Sequence, residues 1–371
     1  MREFGVGVIG WGFMGKTHTY ALRTLEQFYS PLPFGIKLRG VCSRRQEKAE
    51  EALSLGFAFA AADYRELLAD PETDAVHICT PNAEHYPMFM DALAAGKAVC
   101  IDKPLADTGA RAAEMAAAAA AFGIPCQMQM NNRFYPNVLY AREWIDAGNL
   151  GEVLSFRGVY LHSGSADPKK PMGWKQDAAR AGGGVLLDLG THLVDIARWL
   201  MGDFAEINYS QRVLYPARPD GQGTLRQVTA EDHAILLVRL PNGALGTLEA
   251  SKIAVGHDDS LTLEIHGTKG AVQLSLADPN TVWIFNADRP EKESNGFTAV
   301  RTAGRFPPPG GGFPSYKNSI GWLQGHVHSI YSFYAAMAAG ILPQPDAAEG
   351  AAVQAILQAA YDHREKGWVS L

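Results

Sequence analysis

Apolar and polar positions follow two different rhythms along the chain, and the change falls near residue 131. Before it, short apolar runs alternate with stretches in which apolar residues recur every three or four positions. This alternation predicts βαβ units, and therefore a doubly wound parallel α/β sheet with helices on both faces. The predicted strands are 4–9, 36–42, 57–60, 75–79, 98–101 and 126–130, with helices at 16–28, 46–55, 64–69, 85–95 and 110–122.

The second half is dominated by strands that are not interleaved with helices. Hairpin signals such as Pro241-Asn242-Gly243 and Gly267-Thr268-Lys269-Gly270 separate several of them. This texture predicts an α+β domain built on a largely antiparallel open β-sheet. We place the first domain at 1–131 and the second at 132–371, and interpret the Pro/Gly-rich segment 306–314 as a loop. The predicted strands are 153–162, 207–214, 233–240, 244–251, 260–266, 271–275 and 282–285.

Composition narrows the classes of function. The chain has 371 residues, 47% of them hydrophobic and 19% charged, which is typical of a globular protein. Its formal net charge of −6 argues against binding a nucleic acid through phosphate neutralisation. No apolar run approaches the roughly eighteen residues of a membrane span. The four cysteines lack C-x-x-C spacing, so we expect reduced, buried thiols in a cytoplasmic protein; they are Cys42, Cys79, Cys100 and Cys126.

A glycine fingerprint stands between the first predicted strand and helix. Gly10, Gly12 and Gly15 form G-x-G-x-x-G, with Phe13 and Met14 inside it. The first glycine permits a tight turn, the second lets backbone approach a pyrophosphate, and the third allows close packing of helix on strand. The pattern predicts a dinucleotide site at a helix N-terminus. The alternative is an ordinary turn between a strand and a helix.

The residues after the second predicted strand bear on the choice of cofactor. An NAD site usually offers a carboxylate there to the ribose 2′-hydroxyl, but this chain has Ser43-Arg44-Arg45. A hydroxyl followed by arginines suits a 2′-phosphate, which favours NADP over NAD. Alternatively, both arginines belong to a solvated helix start.

Two further strand ends carry polar groups. Ligands of doubly wound sheets sit beyond the carboxyl ends of the strands, so residues there are candidates for binding. Thr80, Pro81, Asn82 and His85 could line the nicotinamide end of a cofactor, although Asn82 could equally be a helix N-cap. Lys103, held by Pro104, could point into the same crevice or be a solvated surface charge.

One predicted helix of the second half, 185–200, is apolar almost all round. Asp188, His192 and Asp195 nevertheless lie at i, i+4 and i+7, which forms a polar stripe on it. Buried polar groups must be paired or face a wet pocket, so the stripe is either a substrate-facing pair or an internally satisfied one. Gly190 in mid-helix indicates that something packs closely against it. A zinc site is disfavoured because H-E-x-x-H is absent.

Taken together, these motifs resemble the Gfo/Idh/MocA oxidoreductases. The match comprises Gly10-x-Gly12-x-x-Gly15, Thr80-Pro81-Asn82-x-x-His85, Asp102-Lys103-Pro104, and Gly182-Gly183-Gly184 followed by Asp188, Gly190, His192 and Asp195. Asp102 stands where the family usually has Glu. The resemblance implies an N-terminal Rossmann domain that binds NAD or NADP and a C-terminal domain for substrate binding and oligomerisation.

By the same resemblance, Lys103, Asp188 and His192 form the catalytic set. A hydride would pass between a carbinol carbon and the nicotinamide, while His192 moves the hydroxyl proton, Asp188 orients the alcohol and Lys103 stabilises charge on its oxygen. The implied substrate is a sugar, a sugar derivative or a cyclic polyol. Candidate binding residues are Arg133, Tyr160 and Trp174, with His162, Lys175, His326 and His328 as further possibilities; the last two could instead cap a helix starting at Gly325.

Three functions share this fold. The leading one is a reversible NAD(P)-dependent sugar or polyol dehydrogenase. The second is a glycoside hydrolase that oxidises and re-reduces its sugar on tightly held NAD, and the third is a catalytically silent cofactor sensor. The resemblance also implies a homodimer or homotetramer formed through the C-terminal β-sheets.

Overall fold

The computed structural model describes residues 2–288, 296–303, 313–315 and 317–371. Most of the predicted loop at 306–314 lies outside the described residues. The chain divides into two compact units. Unit 1 contains Met1–Asn131, Pro307–Ser315 and Trp322–Gln354; unit 2 contains Asn132–Phe306, Tyr316–Gly321 and Ala355–Leu371.

Unit 1 is built on a six-stranded sheet. Its strand order is β3-β2-β1-β4-β5-β6, and all neighbouring pairs are parallel, as the α/β alternation predicts. β1 is buried on both faces from Phe4 onward, because helices cover both sides of the sheet. The strands are β1 (Arg2–Ile9), β2 (Phe34–Cys42), β3 (Phe59–Ala61), β4 (Ala75–Ile78), β5 (Ala98–Ile101) and β6 (Cys126–Met128); the helices are α1 (Phe13–Phe28), α2 (Gln46–Glu50), α3 (Arg65–Ala69), α4 (His85–Ala94) and α5 (Gly109–Phe122).

A helix from the end of the chain completes the core of unit 1. This helix (Trp322–Ala339, α9 in chain order) contacts α1 and β2. Its Ile330, Phe333 and Tyr334 are buried in one cluster with Phe4 and Phe34. The sequence prediction placed this helix in the second domain, because apolar periodicity shows that a helix has a buried face without showing which sheet that face covers.

Unit 2 is built on a nine-stranded sheet in the order β16-β15-β14-β13-β7-β12-β11-β8-β17. Its neighbours are antiparallel except for β7 and β12, which run parallel. Both predicted hairpins are present, joining β11 to β12 and β13 to β14. The strands of this sheet are β7 (Val153–Leu161), β8 (Glu206–Arg212), β11 (His233–Arg239), β12 (Leu245–Ser251), β13 (Ser260–Gly267), β14 (Gly270–Ser275), β15 (Thr281–Asn286), β16 (Thr298–Arg301) and β17 (Val369–Ser370).

Four short strands were not predicted from the sequence. β9 (Ala217–Pro219) and β10 (Leu225–Gln227) form a separate antiparallel hairpin. The other two, β16 and β17, are the edge strands of the large sheet. These strands have two to four residues, too few to show a periodicity of their own, whereas the equally short β3 to β6 were predicted from the alternation of strands and helices in unit 1.

The helices of unit 2 include the predicted polar-stripe helix, which has two parts. Leu186–Gly190 forms a π-helical turn, and α8 (Thr191–Met201) continues from it against β7 and β12. A Cβ atom at Gly190 would lie 2.8 Å from Cδ1 of Leu186, so the group that packs against this glycine belongs to the turn itself. The remaining helices are α6 (Pro136–Asp146), α7 (Ala178–Ala181) and α10 (Ala347–Asp362), the last of which spans the division between the units.

The cysteines and the helices agree with the expectations drawn from composition. All four thiols are free; those of Cys42, Cys100 and Cys126 are buried and that of Cys79 is half-buried. Burial raises the pKa of the Cys42 and Cys126 thiols to about 12. Among the described residues, no helix combines the length and apolar character that crossing a membrane requires.

Candidate active site

The glycine turn of unit 1 leaves an open cradle at the start of α1. Gly10 adopts φ +100°, and a Cβ atom there would lie 2.5 Å from the carbonyl oxygen of Cys79. A Cβ atom at Gly15 would lie 1.9 Å from the carbonyl oxygen of Gly10, so helix and turn pack too closely for any side chain. Among the residues that the structure describes, no atom lies within 4 Å of the Cβ position of Gly12, the helix N-cap, and no side-chain hydrogen bond caps the helix there. The turn therefore has the backbone shape and the free N–H groups that a pyrophosphate requires.

The residues inside and after this turn differ in exposure. Phe13 is 72% exposed, and its ring lies 5.5 Å from that of Trp322, while Met14 is half-buried. At the end of β2, Ser43 is half-buried and Arg44 is exposed. Arg45 makes a loose ion pair of 3.9 Å with Glu47. The side chains of this segment could reach a ribose at the end of β2, which is where the sequence analysis placed cofactor selection.

The loops after β4 and β5 are joined by His85. Its Nδ1 lies 2.9 Å from the carbonyl oxygen of Pro104, and its Nε2 lies 3.0 Å from that of Thr80. The ring is fully buried, and burial lowers its pKa. Since both ring nitrogens contact backbone carbonyls, His85 holds the two loops together and would support a cofactor site indirectly. Pro81, not Asn82, precedes the 3₁₀ turn Asn82–Glu84, and no side-chain cap is seen there.

Lys103 is the second residue after β5. The Asp102 carboxylate accepts a hydrogen bond of 2.8 Å from the Lys103 backbone N–H, and the Lys103–Pro104 peptide bond is cis. The Lys103 side chain is half-buried. An aspartate in place of the family's usual glutamate can thus hold the backbone of this loop.

In unit 2, two ammonium groups converge on the Asp188 carboxylate. Nζ of Lys175 lies 2.9 Å from both carboxylate oxygens, and Nζ of Lys252 lies 2.9 Å from Oδ2. Lys175 is on an exposed 3₁₀ turn (Trp174–Gln176), whereas the Lys252 side chain is only 12% exposed. Two cations beside one carboxylate favour its ionised form. Asp188 is therefore better suited to orienting a bound group than to accepting a proton from it.

Lys252 was missed in the sequence analysis. The available signal was its position immediately after β12, since a lysine close to the carboxyl end of a strand is what drew attention to Lys103. The parallel pairing of β12 with β7 brings the carboxyl end of β12 beside that of β7, where Tyr160 and Leu161 lie. Sequence distance gave no indication of the pairing with Asp188, since 64 positions separate the two residues (252 − 188).

His192 lies one turn after Asp188, and its side chain is almost fully buried. Its ring centroid is 6.1 Å from that of Tyr160, which comes from β7. Burial, and then the hydrogen-bonded carboxylate of Asp259, raise the pKa of Tyr160 well above its usual value. Tyr160 thus stays a neutral phenol beside the imidazole. Tyr160 and His192 thus lie close together, with His192 one helical turn from Asp188, while a substrate-facing role for these residues stays a prediction.

Arg133 and Asp195 form a buried ion pair. The guanidinium donates Nε–H to Oδ2 at 2.8 Å and Nη2–H to Oδ1 at 2.5 Å, with side-chain exposures of 6% and 1%. The Trp199 ring covers the guanidinium carbon at 5.3 Å. This pairing occupies Nε and Nη2 of Arg133. A role for Arg133 in substrate binding stays a prediction. The third member of the polar stripe, Asp195, is the internally satisfied one.

The remaining candidates for substrate binding lie in different parts of the structure. Trp174 is half-buried, with the Lys175 ammonium 5.6 Å from its ring centre, and Nδ1 of His162 accepts the Gly164 N–H at 2.7 Å. His326 and His328 lie inside α9 rather than at its start, so they do not cap it. They are buried in unit 1, and burial lowers the pKa of each to about 3.

Comparison with known proteins gives the site a context. Residues 4–130 match the oxidoreductase family with the NAD-binding Rossmann fold, and residues 138–273 match the GFO/IDH/MocA C-terminal domain. A levoglucosan dehydrogenase of Pseudarthrobacter phenanthrenivorans is 33% identical, covering 100% of this chain and 99% of its own. An NAD(+)-dependent scyllo-inositol 2-dehydrogenase of Bacillus subtilis is 29% identical, covering 76% of each chain.

Solved structures give the same result. A levoglucosan dehydrogenase in complex with NADH and levoglucosan has a TM-score of 0.95 at 33% identity and covers 100% of this chain and 99% of its own. Another, with NADH and L-sorbose, has a TM-score of 0.94 at 33% identity, with 99% and 98% covered. These relatives are named as dehydrogenases, which does not favour the glycoside hydrolase alternative. The chain belongs to the GFO/IDH/MocA family of NAD-binding Rossmann oxidoreductases.

Proposed function

We propose that the protein is a dehydrogenase that oxidises a carbinol carbon of a sugar, a sugar derivative or a cyclic polyol. The observation that carries the proposal is the arrangement around Asp188, whose carboxylate lies between Lys175 and Lys252 one turn before His192. A carboxylate, an imidazole and two ammonium groups offer both donors and acceptors, as recognition of vicinal hydroxyls requires. The named substrates of the relatives, a levoglucosan and an inositol, support the same chemical class.

The catalytic roles follow from these surroundings and from the family motif. His192 would take the hydroxyl proton, since an imidazole nitrogen is a suitable general base and this one lies one helical turn after Asp188. Asp188, held ionised by two lysines, would accept a hydrogen bond from the alcohol and orient it. Lys103 would stabilise negative charge on the reacting oxygen. A bound nicotinamide supplies the hydride acceptor, so the alcohol loses a hydride and a proton and becomes a carbonyl.

For the cofactor, we propose NAD, bound with its pyrophosphate at the glycine turn. The open Cβ position of Gly12 and the uncapped start of α1 fit this group. Support for NAD comes from similar structures that contain NADH. The sequence analysis favoured NADP because of Ser43 and Arg44, and Arg44→Ala distinguishes the two cofactors. If NADP is used, the variant should raise the KM for NADP+ and leave that for NAD+ unchanged.

The decisive experiment follows nicotinamide absorbance with NAD+ or NADP+ and a panel of anhydrosugars, aldoses and inositols. Asp188→Asn should lower kcat/KM by about 10²-fold or more, and His192→Ala should lower it by about 10²- to 10⁴-fold. Asp203→Asn is the matched control. Asp203 follows α8, the helix that carries His192, and its side chain is 75% exposed and forms an ion pair with Arg198. No reduction with any substrate, or equal effects of Asp188→Asn and Asp203→Asn, would refute the proposal.

We also propose that the chain assembles as a dimer or tetramer through the outer face of its nine-stranded sheet. Leu237, Leu245 and Trp283 project from that sheet and are between 41% and 49% exposed; Trp368, which is 39% exposed, lies beside Leu237 and Leu245, and Trp283 lies on β15 further along the same face. Exposed apolar side chains grouped on one face are typical of a self-association surface. Leu237→Glu should shift the elution volume in gel filtration towards the monomer; an unchanged volume would count against this face. A cytoplasmic location stays a prediction.

A further inference from the structure

Three consecutive N–H groups at the start of the polar-stripe helix are bound by residues distant in sequence. The Gly184 N–H donates to the Tyr361 hydroxyl at 3.2 Å, the Val185 N–H to the Glu231 carbonyl at 2.8 Å, and the Leu186 N–H to Glu231 Oε1 at 2.9 Å. Helix N-termini leave their first N–H groups without intrahelical partners. Glu231 and Tyr361 therefore serve as the cap of this helix from outside it.

The same contacts explain two glycines of the Gly182-Gly183-Gly184 motif. A Cβ atom at Gly183 would lie 2.3 Å from the Tyr361 hydroxyl oxygen, and one at Gly184 would lie 2.2 Å from the Glu231 carbonyl oxygen. Neither position accepts a side chain unless these groups move. The glycines thus allow Glu231 and Tyr361 to approach the backbone of the helix directly.

Glu231 is a costly residue to bury. It is 4% exposed, and burial raises the pKa of its carboxyl group. Tyr361 donates its hydroxyl to the same Oε1 at 2.8 Å. A buried acidic group of this kind persists where its hydrogen bonds fix a geometry, and a negative group at a helix N-terminus is also favoured by the helix dipole.

The neighbouring residue connects this cap to the other side of the Asp188 ion pair. The carbonyl oxygen of Asp232 accepts the Lys252 N–H at 2.9 Å, while the Asp232 carboxylate accepts the N–H groups of Leu214 and Tyr215. Glu231 thus holds the helix that carries Asp188, and Asp232 holds the backbone of the lysine that binds Asp188. Two adjacent residues set the positions of both partners.

We propose that Glu231 is a positioning residue for hydride transfer, acting through the start of the helix that carries Asp188 and His192, with Tyr361 as its partner. This inference rests on the proposed dehydrogenase function. A displacement of about 1 Å at a reacting group can cost about 10²-fold in rate, so loss of the cap should act mainly on kcat. The glycine turn of unit 1 is unaffected, and cofactor affinity should stay unchanged.

The test compares Glu231→Leu, which removes the acceptor, with Glu231→Gln, whose amide oxygen retains it. Glu231→Leu should lower kcat by about 10- to 10²-fold with a smaller change in KM, while Glu231→Gln should restore most of the rate. Tyr361→Phe should give a smaller loss of kcat. Glu264→Gln is the matched control, since Glu264 is a partly buried glutamate on β13 that binds His266, and its kcat should equal that of the wild type.

A second readout separates this inference from the proposed function. Amide hydrogen exchange at Leu186 should accelerate in Glu231→Leu relative to exchange at Val194, which lies later in the same helix, and should stay slow in Glu231→Gln. Equal kcat values for the Leu and Gln variants, or faster exchange at Leu186 without loss of kcat, would overturn the positioning role. If Glu231→Leu does not fold, an unchanged kcat in Tyr361→Phe would overturn it. If the wild-type protein oxidises none of the substrates, the proposed dehydrogenase function is refuted. The hydrogen-exchange measurement still shows in that case whether Glu231 caps the helix.

Discussion

Breaking the buried pair of Arg133 and Asp195 should destabilise unit 2 strongly. Arg133→Met removes a bidentate contact of 2.8 and 2.5 Å between side chains that are 6% and 1% exposed. The Asp195 carboxylate would then lie in an apolar environment without its guanidinium. Removing one member of a buried ion pair costs about 3–5 kcal/mol of unfolding free energy. The double variant Arg133→Met/Asp195→Leu should recover much of this, because no buried charge remains.

The measurement is urea unfolding followed by tryptophan fluorescence, since Trp199 lies over the Arg133 guanidinium. The matched control is Arg198→Met on α8, the helix that carries Asp195. The Arg198 side chain is 16% exposed, but its partner Asp203 is 75% exposed, so the carboxylate left behind stays solvated, and a pair screened by solvent contributes about 0–1 kcal/mol. The reasoning is refuted if Arg133→Met destabilises the protein no more than Arg198→Met, or if the double variant is as unstable as the single one. The same variants test the predicted role of Arg133 in substrate binding, because Arg133→Met should raise KM if Arg133 contacts the substrate.

Three further predictions concern unit 1. Gly12→Val should weaken NADH binding, measured by nicotinamide fluorescence, with little change in melting temperature. Gly15→Ala should lower the melting temperature, because its Cβ atom would lie 1.9 Å from the Gly10 carbonyl oxygen. Equal melting temperatures for the two variants would contradict this reasoning. Burial lowers the pKa of His18 to about 4 and that of His326 to about 3. As the pH falls, these two imidazoles are protonated in the unfolded chain before they are protonated in the native protein, so the free energy of unfolding should fall as the pH drops from about 6.5 towards 4. His326→Phe should make the urea midpoint less dependent on pH over this range. Because burial raises the pKa of Cys42 and Cys126 to about 12, a disulfide reagent at pH 8 should react slowly with the native protein and rapidly after unfolding, and fast reaction of those two thiols would contradict the burial.

The sequence was sufficient for elements whose signal is local. The glycine turn, the strands of the six-stranded sheet, the longer strands of the nine-stranded sheet and the hairpin at Pro241-Asn242-Gly243 each show within about ten residues, because backbone geometry there depends on neighbouring side chains. The polar stripe was equally visible, since Asp188, His192 and Asp195 share one helix. What each polar group binds was not visible: Asp195 pairs with Arg133, and Asp188 with Lys252.

The features that were not predicted depend on long-range contacts. The parallel pairing of β7 with β12 brings Tyr160 beside Ala250, and the cap of the polar-stripe helix joins Leu186 to Glu231. Such pairings depend on how apolar faces fit together across the whole fold. No local pattern in the sequence encodes them. The same holds for α9, whose apolar face was evident but whose sheet was not.

The position of α9 determines how the protein can be divided for experiments. A fragment that ends at Asn131 would contain every strand of the six-stranded sheet and still lack Ile330, Phe333 and Tyr334. Phe4 and Phe34 would then face solvent, and the hydroxyl that contacts Nε2 of His77 at 2.8 Å would be missing. Such a fragment should aggregate on expression. An independently folding nucleotide-binding piece would instead need residues 322–354 attached by a designed linker, or supplied as a second polypeptide.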